Sequence, residues 1–322
     1  MTSLATNQRN TGALLVVLSA VVFSTAGIFT KSVTADAWQV IFWRGLTAAA
    51  FTLFYLLLRG RLGSEIRAFG IPALLVVGLG AAGSAAFVTS FKLTSVANVA
   101  LIYGAAPFLA AGLSWALTRE RPTRTVMIAS VAGFSGVALI VSGSLGGGTL
   151  AGDALALFMT AMLAGIMVIY RRFPATTAAL PAALSSIVLL PIAARFSDPM
   201  QTVLAEIPTL AAFGLVFAVA SVTLSEGARR LPAAETALLS TLELPLAPVL
   251  ALIILSEAPP LTTVAGGLIV LISVVWSQRR TSNVATTRSH TSATKTPPNG
   301  PISAVSLRAT RERDDNDSKS KD

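Results

Sequence analysis

The chain has 322 residues, 53% hydrophobic and only 12% charged, with a mean hydropathy of +0.72 and a formal net charge of +9. Soluble domains carry about 25% charge, so an ordinary water-soluble fold is excluded. There is no cysteine, and the one histidine, His290, lies in a polar C-terminal stretch; disulfides, Cys/His metal sites and histidine acid–base chemistry are therefore excluded from the apolar part.

The apolar residues fall in blocks of roughly 17–23, long enough to cross a ~30 Å hydrocarbon core at 1.5 Å per residue. Ten spans are predicted, at 12–30, 38–58, 71–91, 95–117, 125–143, 153–170, 175–194, 208–225, 234–255 and 261–277. The first ends at Lys31, before an Ala35-Asp36-Ala37 triplet that resembles a cleavage site. Its apolar run exceeds the 7–15 residues of a signal-peptide core, so it reads as a retained span. The second span carries Arg44 about six residues in. The third contains "GLGAAG" (78–83), which fits G-x-G-x-x-G. A dinucleotide site needs a preceding strand and an acidic residue ~20 positions on. No Asp or Glu occurs between Glu65 and Glu120, so these glycines read as close-packing positions, like Gly133, Gly136, Gly266 and Gly267. Trp38 and Trp276 near span ends read as interfacial anchors. The loop 144–152 is the most linker-like, and 278–322 is a polar, Ser/Thr/Pro-rich tail that reads as disordered.

Charge sets the orientation. With the N-terminus cytoplasmic, the inner segments hold thirteen arginines: Arg9, Arg59, Arg61, Arg67, Arg119, Arg121, Arg124, Arg171, Arg172, Arg229, Arg230, Arg279 and Arg280. The outer loops hold three basic residues, Lys31, Lys92 and Arg195. The alternation has no exception, and it predicts ten spans with both termini inside. A reading of the basic charge as a nucleic-acid surface is not needed.

The chain also resembles itself. "TSVANVALIYGAAPFLAAGLSWALTRERPT" (94–123) overlays "PAAETALLSTLELPLAPVLALIILSEAPPL" (232–261) without a gap, placing Pro107 on Pro245, Pro122 on Pro260 and Ala105 on Glu243. A five-span unit is odd, so the second copy enters the membrane inverted. Inverted repeats place a binding site near the midplane and support alternating access.

These two segments, with "VAGGLIVLISV" after the second, resemble the two domains of EamA-type members of the drug/metabolite transporter superfamily. The matching parts are the Leu-Glu-x-Pro core at Glu243, the acidic residues Glu120 and Glu257 in the following loops, the glycines beyond, Lys31 and Arg44. Pro248 departs from the pattern. The resemblance, over roughly residues 12–277, implies ten helices, a central cavity and transport of small metabolites, often outward.

Among candidate site residues Glu243 comes first, because an ionised carboxylate at mid-span costs at least ~2.5–3.5 kcal/mol. Thr236, Ser240 and Glu243 follow i, i+4, i+7 spacing and share a helical face. Pro107 and Pro245 are expected to break their helices, and Pro245 to leave the carbonyl one turn earlier free. Glu243 either binds substrate or proton directly, or is structural, bonded to a neighbouring helix or to Arg44. Arg44 either snorkels to the headgroups or turns inward to an anion or to Glu243. Asn98 and Tyr103 are the main large polar groups of span four and candidate cavity-lining residues. Glu235 is a candidate gate with Arg229 or Arg230, against plain solvation.

The expected protein is all-α and membrane-integral, with ten transmembrane helices as two inverted five-helix repeats: 1–11 a cytoplasmic N-terminus, 12–143 the first repeat, 144–152 a linker, 153–277 the second repeat and 278–322 the tail. It is expected to be a secondary transporter in a bacterial cytoplasmic membrane, exporting a small amino-acid-like or drug-like metabolite with or without proton exchange. No metal, cofactor or catalytic residue is expected. The expected partners are the substrate and the lipid bilayer, with a homodimer left open. An intramembrane enzyme lacks an H-E-x-x-H, Ser/His pair or acidic dyad, and a non-transporting receptor or scaffold is the other alternative.

Overall fold

The computed structural model describes the backbone of residues 2–119, 121–145, 149–228, 230–231 and 233–293, with most side chains from 8 to 278. The described chain is helical apart from turns. In order come α1 (Thr2–Phe23), α2 (Ala26–Lys31), α3 (Ala37–Leu58), α4 (Leu62–Arg67), α5 (Ile71–Leu93), α6 (Val96–Tyr103) and α7 (Ala106–Thr118). There follow α8 (Arg124–Ser142), α9 (Leu150–Arg172), α10 (Ala179–Phe196), α11 (Ile207–Ala228), α12 (Ala233–Ser240), α13 (Glu243–Leu255) and α14 (Leu261–Ala293). The helices up to Arg280 belong to one compact unit.

Nine stretches among the described residues are long and apolar enough to cross a membrane, and they coincide within a few residues with nine of the ten expected spans. The exception is 234–255, which is divided into the eight-residue α12 and the thirteen-residue α13. Two further stretches are divided, between α1 and α2 at Ser24–Thr25 and between α6 and α7 at Gly104–Ala105. The tail differs from expectation in part. The helix of α14 does not stop near Gln278 but continues to Ala293, while the rest of the expected disordered tail, 294–322, lies outside the described residues.

Packing runs across the two sequence repeats. α5 packs on α9 and α10, α3 on α10 and α11, α1 on α11, and α6 on α9 and α13. Neither half encloses a core of its own; the core forms where they interdigitate. Small residues permit the close crossings. A Cβ on Gly136 would lie 2.7 Å from the Gly266 carbonyl, and one on Gly266 would lie 2.5 Å from the Gly136 carbonyl, so α8 and α14 touch backbone to backbone. Phe108 of α7 occupies the space a side chain at Gly133 would need. In the third span the packing reading holds for Gly80, against Ser185, and for Gly83, against Met162, but Gly78 faces open space.

The side-chain ties between helix ends sort into two groups. At one end, the Arg9 guanidinium meets Glu235 at 3.1 Å, Glu65 accepts from the Leu180 amide at 2.7 Å, and Glu226 accepts from Tyr55 and pairs with Arg61 and Arg230. At the other, Lys31 pairs with Glu257, and Glu206 accepts from the Thr34 amide and hydroxyl and from the Ala35 amide. There too Asp36 caps α3 through a capping box with Gln39. No tie in these groups joins a residue expected on one face to a residue expected on the other. Each carboxylate satisfies backbone or basic groups where helices emerge, which fixes loops that burial alone would leave free.

Candidate functional site

The broken helices supply the geometry. α6 and α12 have eight residues each, α7 and α13 thirteen each, and Arg119 and Ser256 cap the latter pair in left-handed conformation at φ 59° and 54°. Corresponding positions run 96 to 233, 106 to 243 and 118 to 255, a shift of 137 residues. The sequence overlay that superposed the prolines used 138 and is one residue out of register. Glu243 therefore corresponds to Ala106, not Ala105. Pro107 is the second residue of α7 and Pro245 the third of α13. Each restarts a helix just after its break, where a missing N–H costs least. Pro248 sits inside a continuous α13.

The expectation of a free carbonyl before Pro245 is corrected. The Thr241 carbonyl accepts from the Leu244 amide at 3.1 Å, because the turn tightens to an i to i+3 bond. The exposed feature of the break is instead the side chain that follows it. Glu243 opens α13 about midway along the 233–255 stretch and is partly buried. Among the described residues it has no hydrogen bond and no ion pair with Arg44. Its electrostatic neighbour is Tyr103, the last residue of α6, which is also partly buried. Gly104, beside Tyr103, packs against Leu244, so the break of one repeat lies on the break of the other. α2, beyond the break in the first span, also contacts α13. Thr236 and Ser240 lie on α12, both partly buried; the Ser240 hydroxyl donates to the Thr236 carbonyl at 2.9 Å.

Arg44 is buried, 4% exposed, so it does not snorkel. Its Nη2 donates to Ser84, and the guanidinium carbon lies 5.0, 5.3 and 5.9 Å from the ring centres of Phe217, Phe213 and Phe87. Glu235 is tied to Arg9, donor to acceptor at 3.2 and 3.1 Å, and not to Arg230, which pairs with Glu226; the Arg229 side chain lies outside the described residues. The helix start at Ala233 turns Glu235 toward α1, which packs on α12.

Asn98 belongs to a network the sequence did not reveal. Asp153, fully buried, accepts from Thr94 (2.6 Å), Ser144 (2.5 Å) and the Asn98 amide (3.0 and 3.1 Å), and the Asn98 carbonyl accepts from Thr263 at 2.7 Å. The cluster ties α6, the turn after α8, α9 and α14 together. Beside it, a cleft of about 590 Å³ is lined by Lys31, Lys92, Thr94, Ser95, Thr149 and Glu257. Glu257 accepts from Lys31 Nζ at 2.9 Å and from the Val96 amide at 2.8 Å, so one carboxylate complements both a lysine and the positive N-terminus of α6.

The Lys31–Glu257 pair is partly buried, its side chains 26% and 21% exposed. A double-mutant cycle on Lys31→Met and Glu257→Gln, read by thermal unfolding in detergent, gives a coupling of about 1 kcal/mol. The more exposed Arg9–Glu235 pair gives about half of that or less. Equal losses for additive single changes, with no coupling at Lys31–Glu257, would show that the contact is incidental.

Two repeats whose broken helices cross at a mid-span carboxylate are an arrangement that carriers use, in which discontinuous helices surround the substrate. The comparisons agree. The profile of the EamA-like transporter family matches residues 10–142 and again 150–278. A solved crystal structure described only as "Crystal structure of protein" is similar at TM-score 0.61 and 18% identity, over 84% of this chain and 97% of its own, which shows a shared fold. No curated protein matches the sequence. With both halves of the chain matched in turn, it belongs to the EamA-like transporter family, within the drug/metabolite transporter superfamily.

Proposed function

We propose that the chain is a secondary transporter that exports a small metabolite across a bacterial cytoplasmic membrane by alternating access. It crosses ten times, with both termini inside. The observation that carries the reading is the crossing of α6 and α13 at their breaks, which leaves the Glu243 carboxylate beside Tyr103 without a bonded partner among the described residues. A carboxyl kept unpaired at that depth is expensive, and cost of this kind persists where the group meets a substrate or a proton. The count of ten treats α12 and α13 as one crossing. In support, Glu235 stands at the Arg9 end and Glu257 at the Lys31 end. The excess of arginine at the Arg9 end supports its being cytoplasmic.

The test is flux. Purified protein in vesicles, loaded with metabolites that accumulate in cells lacking it, is expected to release them faster than protein-free vesicles. Glu243→Gln, which keeps shape and removes ionisation, is expected to lower that flux about tenfold or abolish its dependence on a pH gradient. Wild-type flux with a wild-type pH profile in the variant would exclude Glu243 from coupling. Absence of flux for every hit would move the protein toward a receptor or scaffold.

A further inference from the structure

We infer that Arg44 is the docking point for a carboxylate, so that the transported compounds are monocarboxylates with an apolar body; this rests on the transporter reading and deepens it. The guanidinium is 4% exposed, yet its Nε and Nη1 have no hydrogen-bond partner among the described residues. No ion pair reaches it among the described residues. Its surroundings are Ser84, through Nη2, and the rings of Phe87, Phe213 and Phe217. Cation–π contact stabilises the charge but gives these N–H groups no oxygen acceptor. A permanently charged group with idle donors is among the least favourable things a membrane protein can bury. These idle donors can take a partner from outside the chain.

The donors define what that is. Nη2 carries two protons, one on each side, and Ser84 occupies one of them. Either the Nε/Nη2 fork or the Nη1/Nη2 fork therefore remains whole. Two parallel N–H groups match the two oxygens of a carboxylate. One guanidinium balances one charge. The described neighbours supply no second cation, which disfavours a phosphate dianion. The three phenylalanine rings offer an apolar wall for the rest of the molecule.

In this conformation the idle Nε and Nη1 are closed off, so the carboxylate enters only when the rings have parted. Binding then stabilises a conformation other than this one, and differential affinity of that kind is what shifts a carrier between states.

The test pairs acids with their amides. Full-length protein in neutral detergent is melted with hexanoate, phenylacetate, phenylalanine and laurate, and separately with hexanamide, phenylacetamide and phenylalaninamide. At least one acid is expected to raise the Tm by about 2 °C or more at tens of millimolar while its amide does not. The shift is expected to vanish in Arg44→Gln and weaken in Arg44→Lys, which keeps the charge and loses the fork. A response to laurate alone assigns the carboxylate to a lipid source, while a response to the shorter acids assigns it to a soluble metabolite.

Without ligand, Arg44→Met is expected to melt about 3 °C above the wild type, because an uncompensated charge has gone. A Tm lowered by several degrees in that variant would identify Arg44 as a structural tie and overturn the assignment. So would acids and amides acting alike, or an acid shift that survives in Arg44→Gln. An acid that binds without counterflow in vesicles would leave the docking point standing and remove the transporter reading. Counterflow restricted to neutral compounds would do the reverse.

Discussion

Asp153→Ala is expected to destabilise the folded protein by about 3–5 kcal/mol, the largest loss of any single polar substitution in the described chain. Asp153 has no exposed surface, and Thr94, Ser144 and Asn98 all donate to it. Alanine would leave these donors facing a dry cavity, each at a cost of about 1–3 kcal/mol before relaxation. The loss would not stay local. Thr94 and Asn98 position the start of α6, Ser144 the turn after α8, and Thr263, through Asn98, the start of α14. Gly152 lets α9 approach Thr94 so closely that a Cβ there would lie 2.7 Å from the threonine Cβ, which brings Asp153 up to the start of α6. Asp153→Asn keeps the shape but replaces an acceptor with a donor aimed at other donors, and about half the loss is expected. Chemical unfolding in micelles, or the fraction of monodisperse protein after extraction, reads both. Wild-type stability in Asp153→Ala would show that water or rearrangement satisfies the cluster.

The second large effect is steric. Gly266→Val is expected to cost about 3 kcal/mol and to separate α8 from α14. The obstacle to a new Cβ is the Gly136 carbonyl at 2.5 Å, which is backbone and cannot rotate away, with Ile140 Cγ1 at 2.8 Å behind it. Gly136→Val meets the reciprocal obstacle and is expected to lose a similar amount. The two changes combined lose less than their sum, since the first already parts the helices. Gly112→Ala is the internal control. It lies within α7 with nothing inside 4 Å of its Cβ, so the gain in helix propensity makes it neutral or stabilising by up to about 1 kcal/mol. A Gly112→Ala as damaging as Gly266→Val would mean that lipid contacts, not helix crossings, set glycine tolerance.

Much of the architecture was legible because membrane spans announce themselves locally. An apolar run of sufficient length has one low-cost conformation in lipid, and the arginines flanking it mark its ends. The breaks at Gly104–Ala105 and Thr241–Leu242 were legible through Pro107 and Pro245 for the same reason: a missing N–H acts on its own turn. What escaped depends on which ends meet. Asp153 follows a glycine-rich loop, where an acidic residue normally reads as solvated, and only the approach of Thr94 and Asn98 shows it to be buried. Glu235 has two arginines nearby in sequence, yet its partner is Arg9, at the far end of the chain. The repeat register slipped by one residue because prolines two and three places into a helix serve equally well, and sequence identity among small apolar residues is too low to arbitrate. Arg44 had two open readings, since a guanidinium six residues inside a span can reach either water or the interior; the ring positions on α5 and α11 decide it.

The spacing of the two end ties has a mechanical consequence. Arg9 and Lys31 are 22 residues apart, and so are their partners Glu235 and Glu257. The first stretch and the α12–α13 stretch therefore run parallel and are pinned at both ends, about 33 Å apart at the helical rise. Neither can slide along the other without breaking both pins at once. Each can swing about one pin if the other lets go. On a lever arm of that length a swing of only about 10° would move the free end by about 6 Å while the pinned end stays in place. Two pins at equal intervals thus make sliding break both ties and pivoting only one, and either end can serve as the pivot.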